Sequence, residues 1–396
     1  MKLKTWMNAY LSYWKRKPFL SISIHFFVLI LIGTQILVGP RPFICSHGGE
    51  LHSFIWTQDA SPGSALQNEL LQKENNWSAL SYDWAIWPLL RADPYATKMD
   101  ASWKKPGYHT EDGIYFLGTY ELGRSVGTNL LYGFRKSLWI SFCSVLLGML
   151  IGIPLGGVFS YYHKNGLRIS GFLFVGILIG VILLVWSLMV MLHFRQFFWP
   201  VLFLLFLVFV ISFIYWRLSA KHAANMSVYP DAWLNSGIGL IKSFPSLFLL
   251  LLLINWIKKP DTWFMIAIFG FFISVNMARY IRYLMITESS KPWVESLKAI
   301  GLADRRIIFV HLIPNLLLAV FPIAAMSMGS VVLSESTLSF LGLGLPLGEI
   351  SLGSMMHSAR NFPTAWWVLL FPGLVVFWMV FSFYQLGNSY TKVELS

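Results

Sequence analysis

Charge is scarce in this sequence: 12% of its 396 residues are Asp, Glu, Lys or Arg, 56% are hydrophobic, and the mean hydropathy is +0.61. A water-soluble domain carries about 25% charged residues, so a soluble globular fold is excluded and a bilayer is the solvent that fits. Cysteine is nearly absent. The two that occur, Cys45 and Cys143, exclude a disulfide framework, because Cys143 lies inside an apolar run. No Gly-Lys dipeptide occurs, which excludes a P-loop, whose lysine follows a glycine to reach nucleotide phosphates. Nor does any basic stripe interleave with base-stacking aromatics, so the formal net charge of +12 does not indicate nucleic acid.

What the chain has in abundance is long apolar runs. They extend from Phe19 to Val38, Leu138 to Phe159, Gly171 to Leu192, Phe197 to Trp216, Ile238 to Ile257, Trp263 to Ile281, Leu316 to Leu333 and Trp366 to Phe383. Each spanning helix needs roughly 17 to 25 mostly apolar residues, so the expected fold is an all-α polytopic membrane protein with about eight transmembrane helices. Trp139, Trp199, Trp216, Trp256, Trp263 and Trp366 stand near run ends, where indole rings favour the headgroup region. The first run is too long and symmetric for a signal-peptide core.

Lys2, Lys4, Lys15, Arg16 and Lys17 put the N-terminal segment, residues 1–18, in the cytoplasm by the positive-inside rule. An even number of spans returns the C-terminal tail, 384–396, to the same side. The expected location is the cytoplasmic (inner) membrane, multi-pass, with both termini inside. Residues 39–137, between the spans 19–38 and 138–160, are then extracytoplasmic, with a short surface helix expected over 64–76. Lys258 and Lys259 fall outside on this topology and run against it locally. Gly148, Gly152 and Gly156, and again Gly176 and Gly180, recur every fourth residue, which allows neighbouring helices close approach. Pro154 is expected to kink its helix.

The sizeable cytoplasmic loop, 287–315, is basic and amphipathic. Trp293, Leu297 and Ile300 recur at i, i+4 and i+7 and form one apolar stripe, with Glu295 and Lys298 off it. Gly301 is expected to end that helix, Asp304 to cap a second, and Pro314 to stop it before the chain re-enters the membrane. Such a stripe either lies on the lipid surface or plugs into a groove on a soluble partner.

The segment WVESLKAIGLADRRIIFVHLIPN, Trp293 to Asn315, resembles the EAA loop of ABC-importer permeases, with Ser296 and Leu297 in place of its two alanines. ESTLSFLGLG (Glu335 to Gly344), FPGL (Phe371 to Leu374) and LGTYELGRSVGTNLLYGFRKSL (Leu117 to Leu138) are similar to the dipeptide, oligopeptide and nickel permease family, in its C-type subunit. The matched pieces cover Leu117 to Ser160 and, less evenly, Trp233 to Gly387. Tyr120 and Ser125 stand where that family usually has acids, while Glu121, Gly123 and Arg124 are kept.

The resemblance implies a type I importer core of about six spans, with the runs in 169–216 as an added hairpin and the rest of the core in 238–383. It implies a heterodimer with a second permease, two cytoplasmic ATP-binding subunits that bind ATP and Mg, and an extracytoplasmic substrate-binding protein. Coupling to the ATPase would run through Trp293, Glu295, Leu297, Ile300, Gly301 and Asp304, moving peptides, or a nickel or other metal chelate, by alternating access. The chain itself would have no catalytic residues and no cofactor.

Other residues carry weaker signals. Cys45, His47, Glu50 and His52 are the metal-ligand types, in a loop that Gly48 and Gly49 would loosen; a plain surface loop is the simpler reading. Glu335, near a span's outer end, either lines or gates the pathway or is a hydrogen-bonded packing residue. His25 reads as a packing residue, and Arg279 and Arg282 as membrane anchors. A secondary transporter would need ionisable groups or broken helices at mid-membrane, and an intramembrane enzyme a converging His, Asp or Glu cluster; the nine histidines are spread over loops on both sides.

Overall fold

A computed structural model of the chain describes residues 18–39, 42, 44–53, 80, 82–88, 94–110, 113–163, 166–170, 225–256, 261–346 and 348–394. Its long helices are α1 (Pro18–Leu37), α2 (Val126–Tyr161), α5 (Thr262–Ser289), α7 (Asp304–Phe340) and α9 (Trp366–Glu394). Between them lie α3 (Pro230–Lys242), α4 (Ser246–Trp256), α6 (Pro292–Ala299) and α8 (Leu352–Ser358). In hydrocarbon only an internally bonded backbone is tolerable, which is why the apolar runs among the described residues are helical.

Among the described residues, four single helices are long and apolar enough to cross a membrane: α2, α5, α7 and Trp366–Ser389 of α9. The expected span from Ile238 to Ile257 is instead a bent pair, α3 and α4, meeting at 78°. Pro245, just before α4, disfavours helical geometry in the residue ahead of it. The α1 helix covers the first expected run, with a shorter apolar stretch over Pro18–Leu31. The expected spans at 171–192 and 197–216 and the surface helix at 64–76 lie outside the described residues, as do Lys258, Lys259 and the N-terminal cationic residues. Eight spans are therefore not established.

The fold is mostly helical rather than all-α. Strands β1 (Ile44–His47), β2 (Glu50–Ser53) and β3 (Trp84–Ile86) form one antiparallel sheet in the order β2-β1-β3. Strands β4 (Tyr108–Thr110) and β5 (Gly113–Tyr115) form a second. Strands β6 (Leu167–Ser170) and β7 (Asn225–Val228) form a third, with Ser170 opposite Asn225.

The described residues fall into two compact units. The first lies within 1–149, 250–273 and 319–396. Phe27, Ile30, Phe134, Leu138, Met379 and Phe383 are buried together in it, and the Trp378 indole donates to the Ser23 hydroxyl at 3.0 Å, fastening α9 to α1. The segment 94–125 folds over α8 and α9, where Tyr120, Val126, Met355 and Trp367 share a second cluster. The Trp367 indole donates to the Thr119 carbonyl at 3.0 Å. Gly123, with φ +72°, admits no side chain, because a Cβ would stand 1.8 Å from the Lys98 carbonyl oxygen.

The α2 helix begins well before the apolar run, at Val126, because Ser125 caps it: its hydroxyl accepts the Thr128 N–H at 3.4 Å. In the first unit Gly148 faces Ile273.

The second unit lies within 150–249 and 274–318. Here the glycine ladder of α2 continues against α5. A Cβ on Gly152 would meet the Ser274 carbonyl oxygen at 2.6 Å, and one on Gly156 the Ala278 carbonyl oxygen at 2.5 Å, so these two positions permit the helices' close approach. Pro154 sits within the unbroken helix. Ile238 of α3 packs with Val275 and Ala278 of α5.

The candidate coupling segment and the buried polar contacts

Helix α6 starts with Pro292 in its first turn, where a missing N–H costs no bond. It ends as expected at Gly301, whose φ is +79°. The Gly301 N–H bonds the Lys298 carbonyl at 3.0 Å and the Leu302 N–H bonds the Leu297 carbonyl at 3.2 Å. These are the two bonds of a Schellman motif, whose left-handed residue glycine supplies without strain.

Of the expected stripe, Trp293 is exposed at 36% and Ile300 at 72%, and Leu297 is half-buried. Val294 is the residue of α6 that is buried. Glu295 is exposed.

The second helix differs from expectation at both ends. Ala303 is its N-cap and Asp304 its first residue. The Asp304 carboxylate accepts the Tyr161 hydroxyl at 2.8 Å instead, bringing the end of α2 onto the start of α7. The Lys298 ammonium lies 4.9 Å from the Tyr161 ring centroid. Burial, reinforced by Asp304, pushes the neighbouring Tyr162 phenol up from its ordinary pKa. Pro314 does not stop the helix. It is the second residue of the α-helical part, Ile313–Phe340, which follows a π-helical stretch, Ile307–Leu312. A proline clashes with the carbonyl four residues back, and the wider π turn accommodates it.

Arg282 is not a free anchor. Its guanidinium binds the Asp231 carboxylate, Nε to Oδ1 at 2.7 Å and Nη2 to Oδ2 at 2.8 Å. The Tyr161–Asp304 and Arg282–Asp231 pairs were not anticipated, since each joins residues far apart in sequence; a lone Asp before an apolar run was the only available signal.

In the first unit Glu335 is fully buried among hydroxyls. Ser137 of α2 and Ser339 of α7 donate to it at 2.9 Å each, Ser336 lies at 3.5 Å, and Ser351 adds a further contact. Ser351 also caps α8, accepting the Ser354 N–H at 3.1 Å. Of the two readings of Glu335, this geometry favours the packing residue: its carboxylate ties α2, α7 and the start of α8. Nearby, Glu349 accepts from Lys136 at 2.8 Å and from Thr262 at 2.9 Å, and Glu121 accepts from Ser358 at 3.0 Å. Tyr120, in place of the usual acid, is buried, which pushes its phenol up, and its oxygen accepts from Asn129 at 2.7 Å.

The metal-ligand residue types sit in the first sheet. Gly48 and Gly49, with φ of +59° and +82°, are not a loose loop but the two-residue turn joining β1 to β2, both in the conformation that a type I′ hairpin requires. Register sets Cys45 opposite His52 and His47 opposite Glu50. Cys45 is buried, and burial pushes its thiol up, away from the thiolate that binds metal. No group of three or more His, Cys, Asp or Glu among the described residues is placed to hold a metal.

Residues 218–389 match the family described as the binding-protein-dependent transport system inner membrane component. A dipeptide transport system permease protein of Alkalihalophilus pseudofirmus is 26% identical over 302 residues, covering 76% of this chain and 77% of that protein. An oligopeptide transport system permease protein of Lactococcus lactis is 30% identical over 152 residues, covering 38% and 52%. An inner membrane ABC transporter permease protein of Escherichia coli is 30% identical over 138 residues, covering 35% and 40%. With residues 287–315 inside the matched stretch, these similarities support an ABC-importer permease of the peptide-transport family, C-type.

Proposed function

We propose that this chain is the transmembrane permease subunit of an ABC importer that moves peptides inward by alternating access, driven by ATPase subunits that are separate from its own membrane core. The observation that carries the reading is the helix, Schellman turn and helix of residues 292–306, which holds Trp293 and Ile300 out to solvent. Exposed apolar residues on a rigid, glycine-terminated helix fit a cleft on a protein partner. The names of the dipeptide and oligopeptide relatives support peptide as the cargo.

In this reading the chain pairs with a second permease. Two cytoplasmic subunits bind ATP and Mg, and an extracytoplasmic binding protein delivers the substrate. Residues 287–315 and both termini face the cytoplasm, and 39–137 face the opposite side, as the N-terminal lysines and arginine support. The chain contributes a pathway and a contact, not a catalytic site. Trp293, Leu297 and Ile300 enter the partner's cleft, with Glu295 at its rim.

The test is to co-express the chain with the permease, ATPase and binding-protein genes beside its own. In proteoliposomes, uptake of a radiolabelled di- or tripeptide should require internal access to ATP and the binding protein. Uptake driven by an ion gradient without ATP would overturn the reading in favour of a secondary transporter. ATP-driven uptake of a nickel chelate but no peptide would leave the class standing and replace the cargo.

A further inference from the structure

The coupling-type loop is held to the rest of the chain by a specific contact. Tyr161 is the last residue of α2, a helix of 36 residues, and its hydroxyl bonds Asp304, three residues after the turn at Gly301. The same ring carries the Lys298 ammonium on its face, 4.9 Å from the centroid. Lys298 belongs to α6 and Asp304 to α7, so one side chain engages both arms of the helix-turn-helix. The ring is buried, at 8% exposure, while the turn beyond it is open to solvent. On its inner side α2 is locked to α5 by the close contacts at Gly152 and Gly156.

We propose that Tyr161 is a positioning residue for energy coupling: through Asp304 and Lys298 it braces the coupling segment against α2, so that displacement of α6 moves α2. The inference rests on the coupling role proposed above. A hydroxyl donating to a carboxylate is directional and about twice as strong as a neutral pair, and the π face holds the ammonium without needing a second acid. Without the brace, α6 can be moved by its partner while α2 lags. Asp304 therefore has a role inside this chain.

The experiment uses the complete complex in nanodiscs, with Cys45 and Cys143 replaced by alanine and a fluorophore on one introduced cysteine. Ser290→Cys reports on the coupling segment, and Trp139→Cys, exposed on α2, reports on the far part of that helix. ATP with vanadate should shift both signals in the parent. In Tyr161→Phe and Asp304→Ala the shift at 290 should persist and the shift at 139 should fall roughly five-fold, the size expected for a coupling contact. The double variant should be no worse than the Asp304 variant alone, since that substitution already removes the Tyr161 bond.

Full shifts at 139 in both single variants would overturn the brace, as would losses that multiply in the double variant. Failure of both singles to assemble would make the pair merely structural, which also overturns it. Absence of any nucleotide-dependent shift in the assembled parent would instead remove the coupling reading itself, and the brace with it.

Discussion

The guanidinium of Arg282 grips the carboxylate of Asp231 with two parallel hydrogen bonds, joining the first turn of α3 to α5 across 51 residues of sequence. Asp231 suits the positive end of α3, and its side chain is 12% exposed. Such a fork cannot be replaced by a lysine, whose ammonium is a single point donor. Asp231→Ala or Arg282→Ala should destabilise the protein by roughly 2 kcal/mol, the scale of a charged hydrogen bond lost at a partly buried site. Arg282→Lys should recover only part of that. Melting of the detergent-purified complex, followed by size-exclusion fluorescence, would show it; unchanged melting in both alanine variants would contradict the structural role.

The buried carboxylate of Glu335 gives a second prediction, based on the order of two variants. Glu335→Ala removes the acceptor shared by Ser137 and Ser339 and leaves a void, and each stranded buried hydroxyl costs about 1 to 3 kcal/mol. Glu335→Gln keeps a carbonyl acceptor and nearly the same volume. Folded yield should therefore fall sharply for Ala and modestly for Gln, with uptake per folded molecule little changed in the latter. A Gln variant that folds normally yet transports nothing would restore the pathway role to this residue.

How much of this was legible in the sequence follows from the range of the interactions. The turn at Gly301 was readable because a Schellman motif is local: one glycine after an amphipathic run specifies it. The apolar runs of α2, α5, α7 and α9 were readable because hydropathy over about 20 residues is itself the physical cause of a span. The break between α3 and α4 was missed because the hydropathy sum passes over Pro245. The hairpin at Gly48 and Gly49 is not legible in the sequence because two glycines suit a slack loop equally well, and only their positive φ angles make them a fixed turn. Asp304 was placed at a cap and Arg282 at a membrane surface, since sequence shows a charge's local neighbours and not its partners at Tyr161 and Asp231.

Gly123 provides a third prediction, outside the spans. Its φ of +72° and the 1.8 Å approach of a built Cβ to the Lys98 carbonyl leave no room for a side chain. The left-handed conformation alone costs a non-glycine residue about 1 to 2 kcal/mol, and relief of the clash must part the Lys98 to Leu122 backbone bond, 2.8 Å long. Gly123→Ala should make the segment 94–125 measurably more sensitive to protease added to the purified protein, with helix content by circular dichroism unchanged. Equal protease resistance would show that the segment is not pinned there.

The last prediction concerns the contact on which the proposed function turns. Gly301→Pro fixes φ near −65°, where the native value is +79°, and deletes the N–H that bonds Lys298. It therefore breaks the Schellman turn while leaving every apolar span intact. Glu295→Arg reverses one exposed charge without touching a packed residue. Both variants should insert and pair with the second permease, because neither position is buried in this chain. ATP hydrolysis in the mixture should no longer respond to the loaded binding protein, and ATP-linked uptake should fall by an order of magnitude or more, since roughly 1.4 kcal/mol of lost coupling already amounts to ten-fold. Normal uptake in either variant would mean that residues 292–301 do not carry the power stroke, and Trp293 and Ile300 would then be better read as a surface resting on lipid.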